Sequence, residues 1–205
     1  MLDWAFYGNL IVNGLVEGLI VALLALALTL VWGIARFANA AMGDYLTIGA
    51  YAAVATQTLT GGPVWLGAVG GAMVSTLTAL FFYAWVFRRL ADNSPVARLV
   101  ASIGVAFFAR SLLTFFAGHD QLVFRMPISR ALDFGGLRIL PTDLVIAAVA
   151  LSALAIVLGI LYLTPAGRRM RAVADDPALA RASGIRAGRV MILMWVMVGV
   201  LAALA

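Results

Sequence analysis

The stretch Gly18–Ala35, GLIVALLALALTLVWGIA, decides the fold: 18 consecutive residues without a charge lie between Glu17 and Arg36. A helix rises about 1.5 Å per residue, so about 20 apolar residues cross the roughly 30 Å hydrocarbon core of a bilayer. Extended back to Leu10, this run reads as a first span over about residues 10–32. No charge occurs between Asp44 and Arg88, and the breaker Thr60-Gly61-Gly62-Pro63 divides that run into segments over 43–59 and 64–87. Further spans read at about 99–117, 144–163 and 190–205. Composition points the same way: 64% of the 205 residues are hydrophobic and 11% charged, against about 25% charged in a soluble domain. The expectation is an all-α integral membrane protein, a polytopic helical bundle of about six spans forming one domain over 1–205, with no soluble domain.

Several chemistries are excluded. All 14 basic residues are Arg, so a Walker-A phosphate loop and a lysine Schiff base are both ruled out. Cysteine is absent and histidine is represented by His119 alone, which leaves no thiolate nucleophile and no zinc cluster. No catalytic or metal-binding residue is expected. The net charge of +5 does not indicate a nucleic-acid partner, because the arginines sit between apolar runs and not along one exposed face. The opening Met1-Leu2-Asp3-Trp4 lacks the basic start of a signal peptide, so the first run is expected to stay in the mature chain. Residues Val190–Ala205 would make about 24 Å of helix, short of a bilayer, and the chain is expected to stop inside a span, as a C-terminally truncated form would.

Arginines in the connections set the orientation. Arg36, Arg88, Arg89, Arg98, Arg168, Arg169, Arg171, Arg181, Arg186 and Arg189 fall in alternate connections, whereas Arg125, Arg130 and Arg138 fall in the opposite loop. The positive-inside rule makes the ten-arginine side cytoplasmic, with the N-terminus outside a multi-pass inner-membrane protein. Residues 118–141 then form the largest external loop, which holds His119.

Polar groups interrupt the apolar runs at a few points. Asn39-Ala40-Ala41-Met42-Gly43-Asp44 puts a carboxylate and a glycine where a plain span would be apolar. Irregular backbone at membrane depth needs cover from protein or a water-filled cavity. Residues 37–59 therefore read either as a half-broken segment beside a pathway or as an interfacial loop followed by a normal helix. Glu17, Asp44 and Arg110 are charges within apolar segments, functional by default; the alternative for Glu17 and Arg110 is a structural ion pair or a side chain snorkelling to the interface. A Glu17–Arg110 pair is one possibility. Asn39, Thr47 and Ser102 are able to hydrogen-bond a zwitterion or a neighbouring helix. Gly14-x-x-x-Gly18 and Gly67-x-x-x-Gly71 favour close helix contact, within the chain or between subunits.

The connection over 164–189 is the most specific stretch. Asp176 suits an N-cap, Pro177 the first helical position and Gly184 a left-handed C-terminal position. A helix of about two turns is expected over 177–183, with acid at its start and Arg181 near its end matching the dipole. It reads as a docking knob for a soluble partner or as an amphipathic turn resting on lipid headgroups.

Here Gly167, Arg168, Arg171, Ala172, Ala174, Asp176, Ala180, Gly184 and Ile185 fall in a pattern that resembles the coupling loop of permeases in ATP-binding-cassette (ABC) importers. It is most similar to the high-affinity branched-chain amino acid permeases of the LivH and LivM type. The first span, with Asn13-Gly14-Leu15, Gly18 and Leu26–Gly33, and the segment Asn39–Tyr45 with Gly49-Ala50-Tyr51, resemble that family too. Ala40 and Met42 stand where the family usually has Phe and His.

The resemblance implies a permease subunit that carries branched-chain or related hydrophobic amino acids and is not an enzyme. It binds no cofactor of its own, since ATP is hydrolysed by cytoplasmic ABC ATPase subunits. Coupling to them would run through Gly167, Arg168, Arg171, Ala172, Asp175, Asp176, Pro177, Ala178, Leu179, Ala180, Arg181, Gly184 and Ile185. Asn39, Gly43, Asp44, Thr47 and Ser102 would line the pathway, with Glu17 and Arg110 as intramembrane charges. Further partners would be a second permease subunit, a periplasmic or extracellular solute-binding protein and membrane lipid. The alternatives are a urea or short-chain amide permease and, from another class, a stand-alone channel or ion-coupled transporter using Glu17, Asp44 and Arg110 as a relay.

Overall fold

A computed structural model describes residues 4–118, 123, 124, 130–134 and 137–205; His119 and Arg125 lie outside them. Among the described residues the elements are helices joined by short connections, with one short hairpin. Helix α1 covers Trp4–Leu30 and continues through one wide π-type turn, Val31–Ala35. Helix α2 is Met42–Thr60, and α3 is Val64–Phe82 with a second π-type turn over Tyr83–Phe87. Helix α4 is Pro95–Ala117 and α5 Pro141–Leu163. Two shorter helices follow, α6 (Pro165–Asp175) and α7 (Pro177–Ala182), before α8 (Ala187–Leu204). Strands β1 (Leu132–Phe134) and β2 (Leu137–Ile139) pair antiparallel, with Asp133 opposite Arg138. Five of the helices are long and apolar enough to cross a membrane; α2 is not among them.

Local chemistry sets the helix boundaries. Proline fixes φ and lacks the N–H that a first turn leaves unused, so it starts helices well. Ser94-Pro95, Thr164-Pro165 and Asp176-Pro177 each pair a proline with a capping side chain: Ser94 accepts from the Ala97 N–H and Thr164 from the Gly167 N–H. Pro95 and Pro141 start α4 and α5 four and three residues upstream of where their apolar runs begin. Gly61, at φ +61°, ends α2 in a left-handed turn that an L side chain would strain.

Helix α8 is the hub, touching α1, α2, α3, α5, α6 and α7. Trp195 on α8 stacks on Phe87 at 5.3 Å and 8° and on Tyr83 at 5.8 Å, and meets Tyr45 edge-on. Aromatic contacts of this kind add to the apolar area they bury. The two small-residue motifs behave differently. A Cβ on Gly67 would stand 2.7 Å from the Ala53 carbonyl, and one on Gly71 2.6 Å from the Gly49 carbonyl, so these glycines let α2 and α3 touch backbone to backbone. A Cβ on Gly14 or Gly18 would meet no other element within 4 Å. Their face of α1, with Asn13 and Glu17, is exposed.

Candidate functional site

At the arginine-rich end of the bundle, α6 and α7 form a compact elbow. Helix α6 is amphipathic: Gly167, Met170 and Val173 are buried while Arg168, Arg169 and Arg171 are exposed. Gly167 has no room for a Cβ against the Ile160 and Leu161 carbonyls. Arg171 donates to the Leu161 carbonyl and lies over the Tyr162 ring at 5.5 Å. Asp176 Oδ1 accepts from the N–H groups of Ala178 and Leu179 at 2.8 and 3.0 Å. Those two bonds hold its carboxyl below the usual carboxylate range. Gly184 takes φ +80°, and the Ile185 N–H returns to the Ala180 carbonyl at 3.0 Å. The α7 helix ends at Ala182, one residue short of the expected 183, with Ser183 in the following turn. Ala180 is buried beneath it, whereas Ala178, Leu179 and Arg181 face outward, Leu179 with 65% of its surface exposed.

This elbow is clasped to the spans by a residue that spacing alone does not single out. Arg36 follows α1 at φ 56°, and its Nη2 donates to the carbonyls of Ala174 and Asp175 at 2.6 and 2.7 Å. A charged side chain thus caps the C-terminal carbonyls of α6, where the dipole favours a cation. Next to it, Arg98 on α4 donates to the Ala35 carbonyl at 2.7 Å and lies over the Phe37 ring. A cavity of about 360 Å³ separates α7 from the ends of α1 and α3; Arg36, Phe37, Phe87, Arg98, Pro177 and Arg181 are among its walls.

Residues 36–41 are non-helical, and Phe37, Asn39 and Ala41 are buried. Of the two readings of 37–59, the loop followed by a normal helix matches: the irregular stretch ends at Ala41 and α2 runs unbroken from Met42. Ser102 Oγ accepts from the Ala40 N–H and donates to the Leu99 carbonyl, while Asn39 Oδ1 accepts from the Ala41 N–H. Thr47 donates to the Gly43 carbonyl within its own helix. Gly43 has open space around it.

The intramembrane charges are arranged differently from one expectation. Arg110 does not pair with Glu17: its Nε donates to Asp44 Oδ1 at 3.1 Å, and Glu17 stands exposed on α1. The two partners are 66 positions apart, a separation no local spacing reveals. Asp44 lies in the first turn of α2, where the dipole favours a carboxylate.

Comparison with known proteins agrees with this architecture. The family model described as "branched-chain amino acid transport system / permease component" matches residues 10–205. LivH, the high-affinity branched-chain amino acid transport system permease protein of Escherichia coli K12, is 25% identical over 207 residues. Its counterpart in Salmonella typhimurium LT2 is 25% identical over 208 residues. Both alignments cover 94% of this chain and 67% of the relative, so the chain spans about two thirds of the relatives' length. No solved structure matches it. The family accounts for a helical multi-pass chain without enzymatic chemistry, and it displaces the stand-alone channel. The chain belongs to the permease component family of branched-chain amino acid transport systems, the membrane-spanning part of an ABC importer.

Proposed function

We propose that this permease carries branched-chain or similarly hydrophobic amino acids inward, driven by ATPase subunits that dock on the α6–α7 elbow. The arginine-rich end faces the cytoplasm in this reading, and the N-terminus faces outward. Leu179, Ala178 and Arg181 form the tip that enters a groove on the ATPase, while Gly167, Arg168, Arg171, Ala172, Asp175, Asp176, Pro177, Ala180, Gly184 and Ile185 shape and anchor it. A solute-binding protein delivers substrate on the opposite side. The exposed α1 face carrying Asn13, Gly14, Glu17 and Gly18 meets a second permease subunit, since small residues in a membrane favour close helix contact. ATP hydrolysis stays with the partners, and this chain holds no cofactor.

The clasp of Arg36 on the α6 carbonyls is the observation that carries the reading. It joins the docked elbow directly to the end of α1, so a displacement of the elbow reaches a span without passing through a flexible linker. The cavity beneath α7 gives that displacement room. Alternating access then follows if ATP binds the partners better in one state of the elbow than in the other. Replacing Ala178–Arg181 by a Gly/Ser linker tests it. ATPase subunits should no longer co-purify and uptake should fall to background. Uptake that persists at the wild-type rate would contradict the proposal.

A further inference from the structure

We infer that the Asp44–Arg110 pair and the apolar groove beside it form the substrate site, the pair taking the two charged ends of an amino acid and the groove its aliphatic side chain. The inference rests on the reading of the chain as an amino acid permease. It begins with a mismatch in exposure: the side chain of Asp44 is 6% exposed and that of its partner Arg110 69%. Arg110 lies seven positions before Ala117, about 10 Å inside that end of α4. A guanidinium at such depth is costly against hydrocarbon, and a polar ligand would satisfy it better than lipid does. Only Nε is engaged by Asp44; among the described residues neither Nη donates a hydrogen bond. A planar fork with its outer edge unengaged matches a carboxylate in two-pronged geometry. Asp44, held in place by the same guanidinium, is the complementary partner for an ammonium group. A zwitterion therefore adds one charge of each sign to a pair that already balances, leaving no uncompensated charge in the site.

The groove supplies the second half of the recognition. It measures about 420 Å³ and is lined by Ile48, Phe81, Phe82, Phe108, Ala109 and Leu113, among others. Ile48 stands one turn beyond Asp44 on α2, and Ala109 precedes Arg110 on α4. Its one hydroxyl, on Thr78, is bonded to the Val74 carbonyl. Asp44 and Arg110 do not line the groove themselves, but Ile48 and Leu113, each one turn further along α2 and α4, do. An apolar surface one turn from an ion pair suits a small molecule with a charged head and a branched hydrocarbon tail. Moving that tail out of water drives its seating. Urea offers neither a carboxylate nor a tail.

The test uses the transporter reconstituted with its ATPase and binding-protein partners in liposomes. Uptake of leucine, alanine, leucinamide and urea is measured for the wild type, Arg110→Gln and Leu112→Trp. Leu112 lines the groove at an exposed position, where a larger side chain fills space without disturbing the core. The wild type should favour leucine over leucinamide. Arg110→Gln should raise the KM for leucine about tenfold or more, as loss of a charge-assisted hydrogen bond does, and erase that preference. Leu112→Trp should raise the leucine KM while sparing alanine. An unchanged leucine-to-alanine ratio in Leu112→Trp overturns the inference, even if Arg110→Gln fails to fold. Wild-type leucine uptake with an unaltered KM in Arg110→Gln also overturns it and leaves the permease reading standing. Wild-type transport of urea and not leucine would bring down both.

Discussion

Asp176 shows how much a single side chain fixes at the docking elbow. Its two bonds to the N–H groups of Ala178 and Leu179 start α7, and the same bonds hold its carboxyl below the ordinary range. Because the folded value is depressed, the cap is complete above the ordinary carboxylate range and is lost as pH falls through the depressed folded value. Hydrogen exchange at Ala178 and Leu179 should therefore hold a constant protection factor from pH 7 down to about pH 4 and lose it only in stronger acid. With Asp176→Ala those amides should exchange several-fold faster throughout. An onset of lost protection near pH 6 would contradict the capping account. This cap was legible in the sequence because Asp-Pro and the later Gly184 act on their own backbone, within a few residues. The partner of Arg110 was not legible, since Glu17 and Asp44 are equally acidic and only the packing of α2 against α4 decides between them.

At the scale of elements, the apolar runs locate the spans, but they pass over whatever is amphipathic or begins on a proline. Helix α6 gives no apolar run because its three exposed arginines break it, although Gly167, Met170 and Val173 recur at helical spacing on the buried side. The hairpin had only Gly135-Gly136 between Phe134 and Leu137 as a local signal. The two Gly-x-x-x-Gly motifs read alike in sequence and differ entirely in the fold. Gly71→Leu should destabilise the α2–α3 pair by about 1–3 kcal/mol or more, since a side chain there meets backbone and not a flexible tip. Gly14→Leu with Gly18→Leu should leave the melting temperature of the isolated subunit unchanged and weaken its pairing with a second permease subunit. Thermal unfolding in detergent, read beside the oligomeric state, separates the two. A lowered melting temperature in the α1 variant, with pairing intact, would refute the assignment of that face.

The whole molecule is a bundle gathered on α8, with one irregular stretch inside it and one helical elbow at its arginine-rich end. Its class was legible from composition, because 64% hydrophobic residues cannot be hidden in a water-soluble core of this size. The clasp between Arg36 and α6 was not legible, as it joins residues 138 and 139 positions apart. That clasp ties the elbow to the end of α1, and the elbow is where the account is most exposed to test. The chain contains no cysteine, so Leu179→Cys introduces a single thiol at the tip of α7. A membrane-impermeant maleimide should leave this thiol untouched in intact cells, label it in inverted vesicles stripped of ATPase subunits, and be blocked again once those subunits are restored. Labelling from outside intact cells, or labelling in inverted vesicles that the ATPase subunits leave undiminished, would contradict it.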